Sequence, residues 1–189
     1  MVILGIDPGS VTTGYAFIDK QGSTIRVLEY GTFHAPETQA FENRLLHIIT
    51  SLEVLLDKYK PEALSMESAF FAINARSALV LGHVRGAVLV TCKKRGMAFG
   101  EFSPSSVKQA VTGKGNASKE MVANMIYARL GIASADVPLD ATDALAIAWT
   151  YANPSPLESL LNVRKHSRRR KPSVKEWKNL IEKMGGDVK

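Results

Sequence analysis

The sequence predicts an α/β fold, a mixed five-stranded sheet flanked by helices, on three observations. Three strand-like runs follow one another at the start, helix-like and strand-like segments alternate after them, and two of the strand-like runs end on a carboxylate, Asp7 and Glu67. Residues 2 to 7, 13 to 19 and 24 to 34 are the first three strands, separated by the turn formers Pro8-Gly9-Ser10 and Lys20-Gln21-Gly22-Ser23, which makes them a meander of hairpins. Phe41, Leu45, Ile48, Ile49, Leu52, Leu55, Leu56 and Tyr59 then recur at spacings of three and four. They define one face of a helix that ends before Pro61 and covers one side of the sheet. Residues 62 to 67 make a fourth strand, Asn74 to Arg95 a second long helix, and Met97 to Phe102 a fifth strand. Ser103-Pro104 fits an N-cap followed by proline at the first helical position, and helices follow at about 104 to 111, 118 to 130 and 141 to 152. Open α/β sheets place their sites beyond the carboxyl ends of strands, so Asp7 and Glu67 converge if strands one and four are neighbours.

The second long helix is apolar on nearly every side, through Ala75, Ala78, Leu79, Val80, Leu81, Val84, Ala87, Val88, Leu89 and Val90. Such a helix has two layers to pack against, either both within one subunit or one of them across a two-fold dimer interface. Gly82 and Gly86, four apart, let another helix backbone approach closely, at a cost in helix propensity.

At 189 residues the chain supports one core of ordinary size, and no internal repeat argues for two. The expected division is one domain over residues 1 to 153 and a basic tail over 154 to 189. The net charge of +6 is unevenly placed: Arg164 to Lys189 holds 10 Lys/Arg and 3 Asp/Glu, whereas residues 1 to 163 hold 14 and 15. The body is therefore close to neutral, and global charge is weak evidence for a polyanionic partner. There is no uncharged apolar run of about 18 residues and no basic start followed by a cleavable apolar stretch, so neither a membrane span nor a secretory signal is expected. The expected location is the cytoplasm, with no membrane partner. Cys92 stands alone in an apolar run, which reads as a small buried hydrophobe and offers neither a disulfide nor a Cys/His metal cluster.

Chemistry is concentrated in four carboxylates: Asp7 and Glu67 at strand ends, Asp140 and Asp143 at the start of the last apolar helix. Acids seldom end buried strands without a partner, and a shared hard cation such as Mg²⁺, which takes oxygen ligands, neutralises all four at once. Asp140 and Asp143 also have a plain structural reading, as an N-cap and a residue three further on that satisfy exposed helix amides. Capping accounts for two acids and leaves Asp7 and Glu67 without a role. The segment Asp7-Pro8-Gly9-Ser10-Val11-Thr12-Thr13-Gly14 invites comparison with the phosphate-holding hairpin of sugar kinases and actin-like ATPases, but no second such hairpin follows. Nor does Gly113-Lys114-Gly115 complete a Walker loop.

Several blocks in order carry a more specific likeness. They are Gly5-Ile6-Asp7-Pro8-Gly9 with Thr13-Gly14-Tyr15; Glu67-Ser68-Ala69-Phe70; Asn74, Ser77-Ala78, Leu81-Gly82 and Arg85-Gly86; Val107-Lys108-Gln109; Gly113 to Lys119; and Asp140 to Ala148. Together, over roughly residues 1 to 152, they resemble the RuvC family of Holliday junction resolvases, in the ribonuclease H-like superfamily. The resemblance implies a ribonuclease H-like fold and assigns Asp7, Glu67, Asp140 and Asp143 as the metal-binding and catalytic set, holding two Mg²⁺ per active site. It implies products with 5′-phosphate and 3′-hydroxyl ends, and it places Lys108 and the catalytic Lys119 near the scissile phosphate. DNA contacts are expected from Phe70, Arg76, Lys108, Lys114 and Lys119. Phe70 takes the place of an aromatic that wedges between bases at the junction, although the adjacent Phe71 leaves that assignment open. The family is homodimeric, with Gly82 and Gly86 then at the interface, and acts with the RuvA and RuvB branch-migration proteins.

The likeness stops at the tail. Arg164, Lys165, Arg168, Arg169, Arg170 and Lys171 form a basic cluster, followed by Ser173 and Glu176 as a capping box and Val174, Trp177, Leu180, Ile181 and Met184 at helical spacing. This is either a disordered, solvated end or a short amphipathic helix that docks. The function expected is Mg²⁺-dependent resolution of four-way DNA junctions by symmetric nicking, in recombination and repair. The alternatives are another ribonuclease H-like nuclease and a junction-binding module that does not cut.

Overall fold

A computed structural model describes residues 1–68, 75–133 and 137–154. The alternating apolar residues of the first 34 positions fold as the expected meander, β1 (Val2–Asp7), β2 (Thr12–Gln21) and β3 (Thr24–His34), paired antiparallel in sequence order. β2 runs further than residues 13 to 19 because its pairing with β3 continues from Thr12 opposite His34 to Gln21 opposite Thr24. After α1 (Phe41–Tyr59), β4 (Ala63–Glu67) adds parallel to β1, and after α2 (Ala75–Lys94), β5 (Ala98–Phe102) adds parallel to β4. The sheet order is β3-β2-β1-β4-β5, so strands one and four are neighbours as the convergence of Asp7 and Glu67 requires. Then come α3 (Pro104–Thr112), α4 (Lys119–Leu130) and α5 (Leu139–Ala152). The Ser103 hydroxyl accepts from the Ser106 amide with Pro104 at the start of α3, as expected, and Ser118 caps α4 in the same way.

Strand side chains alternate faces, which sends Leu4, Ile6, Phe17, Leu64 and Met66 to one core with α1 and α2. Ile3, Ala16, Ile18 and Ala63 go to another, with α3, α4 and α5. Each such Leu, Ile, Phe or Met side chain, once fully buried, contributes about 1.5–3 kcal/mol. α5 lies against β1, β2 and β4, and its alanines set how near it comes. A Cβ at Gly5 would collide with the Ala144 carbonyl, and one at Gly14 with the Asp140 carbonyl. The Ser65 hydroxyl, buried in β4, donates to the Ile147 carbonyl at 2.8 Å and locks the same contact.

Two local expectations are corrected. Asp140 is not an N-cap: α5 begins at Leu139, Pro138 occupies the cap position without a side-chain cap bond, and the Pro138 carbonyl accepts from the Thr142 amide. Proline's fixed φ and free carbonyl start the helix two residues before 141. The two-sided burial of the second long helix within one subunit is also not observed. Val84, Val88, Thr91 and Cys92 are buried, whereas Leu79 is 63% and Val90 57% exposed and a Cβ at Gly82 or Gly86 would meet nothing within 4 Å. At 20 residues α2 is long and apolar enough to cross a bilayer, but its buried side chains pack on the sheet and Arg85 is bonded to two strands. Cys92 is buried as expected.

Candidate active site

Three elements that are remote in sequence bring the four acids to one end of the sheet, beyond the carboxyl ends of β1 and β4. Asp7 is the last residue of β1 and pairs with Gly14 of β2, and Gly14 lies directly against the backbone of Asp140. The missing side chain at Gly14 therefore lets the first turn of α5 reach Asp7. Glu67 ends β4, one residue beyond the last β1–β4 pair at Ile6 and Met66. Asp140 stands in the first turn of α5, and Asp143, three residues on, projects to the same side of the helix. Behind Asp7, the Thr13 hydroxyl donates to the Gly9 carbonyl at 2.7 Å and accepts from the Gly9 amide at 3.2 Å, which fixes the turn that follows it. Thr13 is buried.

The acids interact. Burial, then the charges of Asp143, Glu67 and Asp140, push the Asp7 carboxyl up to about 7, with Lys119 opposing. Glu67 is raised by burial and by Asp143, against the pull of Lys119, Arg85 and Lys108. Lys119 is the first residue of α4, where the helix dipole disfavours a cation; its ammonium is held instead by Asp143, at 3.2 Å from Oδ2. That ion pair raises the Lys119 pKa. Among the described residues no three His, Cys, Asp or Glu side chains are already drawn into an ion-binding cluster. The Lys119 ammonium occupies Asp143, and side-chain rotation is what convergence on a cation requires. The donors are oxygens only, a set that suits hard divalent ions, and a cation relieves the burial and repulsion that raise Asp7 and Glu67.

Of the other expected residues, Lys108 on α3 acts electrostatically on Glu67 and so belongs to the same neighbourhood. Lys114 is exposed in the turn between α3 and α4, where its carbonyl accepts from the Thr112 hydroxyl. Arg76, exposed at the start of α2, lines a cleft of about 510 Å³ with Ser10, Glu37, Phe41 and Arg44. Phe70, Phe71, Asn74 and the tail beyond residue 154, with its basic cluster and Trp177, lie outside the described residues. Sequence reasoning assigned no role to Thr13 or Arg85. The available signal for Arg85 was a single cation in the middle of an otherwise apolar helical run.

Comparison with known proteins places the chain as a whole. Residues 3–151 match the family described as Crossover junction endodeoxyribonuclease RuvC. A protein of that name from Chloroherpeton thalassium is 45% identical over 148 residues, 78% of this chain and 80% of the relative. Another, from Geobacter sp., is 41% identical over 161 residues, 85% of this chain and 98% of the relative. Among solved structures, T. thermophilus RuvC in complex with Holliday junction substrate superposes with a TM-score of 0.76 at 34% identity, over 81% of this chain and 93% of that one. The yeast mitochondrial Holliday junction resolvase Ydc2, at 16% identity and a TM-score of 0.58, shares the fold. The mixed five-stranded sheet with its flanking helices is accordingly a ribonuclease H-like nuclease fold, and the chain belongs to the crossover junction endodeoxyribonuclease RuvC family.

Proposed function

We propose that this chain resolves four-way DNA junctions by nicking opposed strands, using two Mg²⁺ ions held by Asp7, Glu67, Asp140 and Asp143. The observation that carries the reading is that β1, β4 and α5 bring four acids to one end of the sheet, near enough for their charges to act on Asp7, beside Lys119, in a chain whose family consists of metal-dependent endonucleases. When bound, a pair of such ions supplies an ionised water and stabilises the leaving 3′ oxygen, which leaves 5′-phosphate and 3′-hydroxyl ends. The protein's own groups do the rest. The strand ends and the first turn of α5 hold the backbones of the acids near one another before DNA arrives, and Lys119 and Lys108 balance charge developing on the non-bridging phosphate oxygens. DNA contacts are assigned to Phe70, Arg76, Lys108, Lys114 and Lys119.

The exposed apolar side of α2, with Leu79, Leu81 and Val90 around Gly82 and Gly86, supports a two-fold homodimer, in which two sites face opposed strands of one junction. The same chain would act with RuvA and RuvB, in the cytoplasm, where the bacterial relatives keep their DNA.

The test is incubation with a mobile synthetic four-way junction, with Mg²⁺ or with EDTA. Expected are paired nicks with Mg²⁺ only, ligatable ends, and loss of cutting but not of junction binding in Asp7→Asn and Glu67→Gln. Equal cutting of plain duplex or of an RNA–DNA hybrid would identify another ribonuclease H-like nuclease. Junction binding without cleavage would identify a binding module.

A further inference from the structure

Glu67 is the last residue of β4, and the ladder that holds β4 to β1 has already ended at Met66. On its other side β4 remains tied to β5, where Glu67 pairs with Phe102 and the Ser68 amide donates to the Phe102 carbonyl at 2.7 Å. The Glu67 carbonyl is taken by a side chain. Arg85, from α2, donates through Nη1 to that oxygen and through Nη2 to the Glu101 carboxylate at 2.6 Å. The Arg85 side chain is 16% exposed, and the neighbouring Val84 is packed in the core, so the helix that carries it is fixed against the sheet. The guanidinium fork is planar and rigid, and a bond at each of its two terminal nitrogens defines its orientation.

The division of its two bonds is informative. Arg85 grips the main chain of Glu67 and leaves the carboxylate to the other acids, while Glu101 neutralises the guanidinium. Without Glu101, the uncompensated cation would turn to the Glu67 carboxylate, on which its charge already acts, and compete with a metal ion for it.

We propose that Arg85, held by Glu101, is a positioning residue that fixes the Glu67 carboxylate for divalent-metal binding from outside the ligand set. The inference rests on the nuclease reading of the acids. It deepens that reading by making metal affinity depend on a residue of α2 that touches neither metal nor DNA.

Mn²⁺ binding to the DNA-free protein, followed by the electron paramagnetic resonance signal of the free ion, measures this without cleavage. Arg85→Gln is expected to weaken Mn²⁺ binding about tenfold, the size usual when a group orienting a metal ligand is lost. The Mg²⁺ concentration for half-maximal junction cleavage should rise in parallel, while junction affinity in EDTA stays unchanged. Arg85→Lys, which keeps one donor, should recover part of the loss. Glu101→Gln should weaken Mn²⁺ in the same direction, and the double variant Arg85→Gln/Glu101→Gln should be no worse than Arg85→Gln alone. Wild-type Mn²⁺ affinity in a folded Arg85→Gln overturns the proposal, as does an equal loss of metal and junction affinity. If Arg85→Gln does not fold, Glu101→Gln decides: wild-type Mn²⁺ affinity there overturns it as well. A wild-type protein that binds Mn²⁺ but never cuts the junction would remove the nuclease reading and leave the Arg85 result to stand on the binding data.

Discussion

At Asp7, burial and three facing carboxylates act in the same direction, with consequences measurable without substrate. Its carboxyl is raised from an ordinary 3.8 to about 7 in the folded protein, so folding favours the protonated form. The stability this group contributes is complete below pH 3.8 and is lost as pH rises through 7. In EDTA the protein should therefore lose stability between about pH 5 and pH 8, on the order of 2 kcal/mol from this group, and Asp7→Asn should abolish that share. Urea unfolding at the two pH values measures it, and a pH dependence unchanged in Asp7→Asn would assign the effect elsewhere. Lys119 makes a different prediction. Its exposed pair with Asp143 adds little to folding, so Lys119→Ala should leave stability nearly unchanged. The single-turnover cleavage rate should fall more than junction affinity, because the charge matters most as the transition state forms. A loss confined to the dissociation constant would make Lys119 a DNA-positioning contact only.

Two glycine environments separate the elements by role. Gly14 touches the Asp140 backbone, and alanine there must push β2 and α5 apart beside the candidate site; Gly14→Ala should cost about 3 kcal/mol and most of the proposed activity. Gly86 faces open space within the protomer, so Gly86→Ala should be neutral or stabilise the isolated fold by up to about 1 kcal/mol through helix propensity. A large side chain at the same place, as in Gly86→Trp, should leave the protomer folded but dissociate the dimer. Sedimentation velocity with urea unfolding tests both, and a dimeric Gly86→Trp would move the interface away from the glycine pair. α2 thus has two unlike sides, with Val84 and Val88 in the core and Leu79 and Val90 exposed.

For the whole molecule, the balance of charge sets the expectation. Residues 1 to 163, with 14 Lys/Arg against 15 Asp/Glu, are nearly neutral, and the excess positive charge lies from Arg164 onward. The acids, the lysines and α2 all precede it. Deletion of 164 to 189 should leave a folded, active dimer. For every DNA phosphate that the basic cluster neutralises in the full chain, the deletion should flatten the log–log salt dependence of junction binding by about 0.9. An unchanged slope would mean that the tail docks through groups such as Trp177 and not on DNA. Failure to fold or dimerise would place the tail in the core.

The sequence alone determined what is local. Short apolar runs between turn formers placed the strands, Ser103-Pro104 started α3, and carboxylates closing apolar runs marked Asp7 and Glu67 as a candidate site, because turn and cap chemistry reach only a few residues along the chain. Asp140 and Asp143 stood out at the start of an apolar helix but could equally be caps; the blocks resembling the family joined them to Asp7 and Glu67 and added Lys119, a connection that no periodicity expresses. Where long-range contact competed with local preference, the tertiary structure decided. α5 starts at Leu139 because the Pro138 carbonyl is free to accept the first helical bond, and α2 buries one face only because the sheet offers one surface. Arg85 has meaning only once β4 and β5 lie side by side, and Asp7 meets Asp140 only because Gly14 leaves room for a helix more than a hundred residues further along the chain.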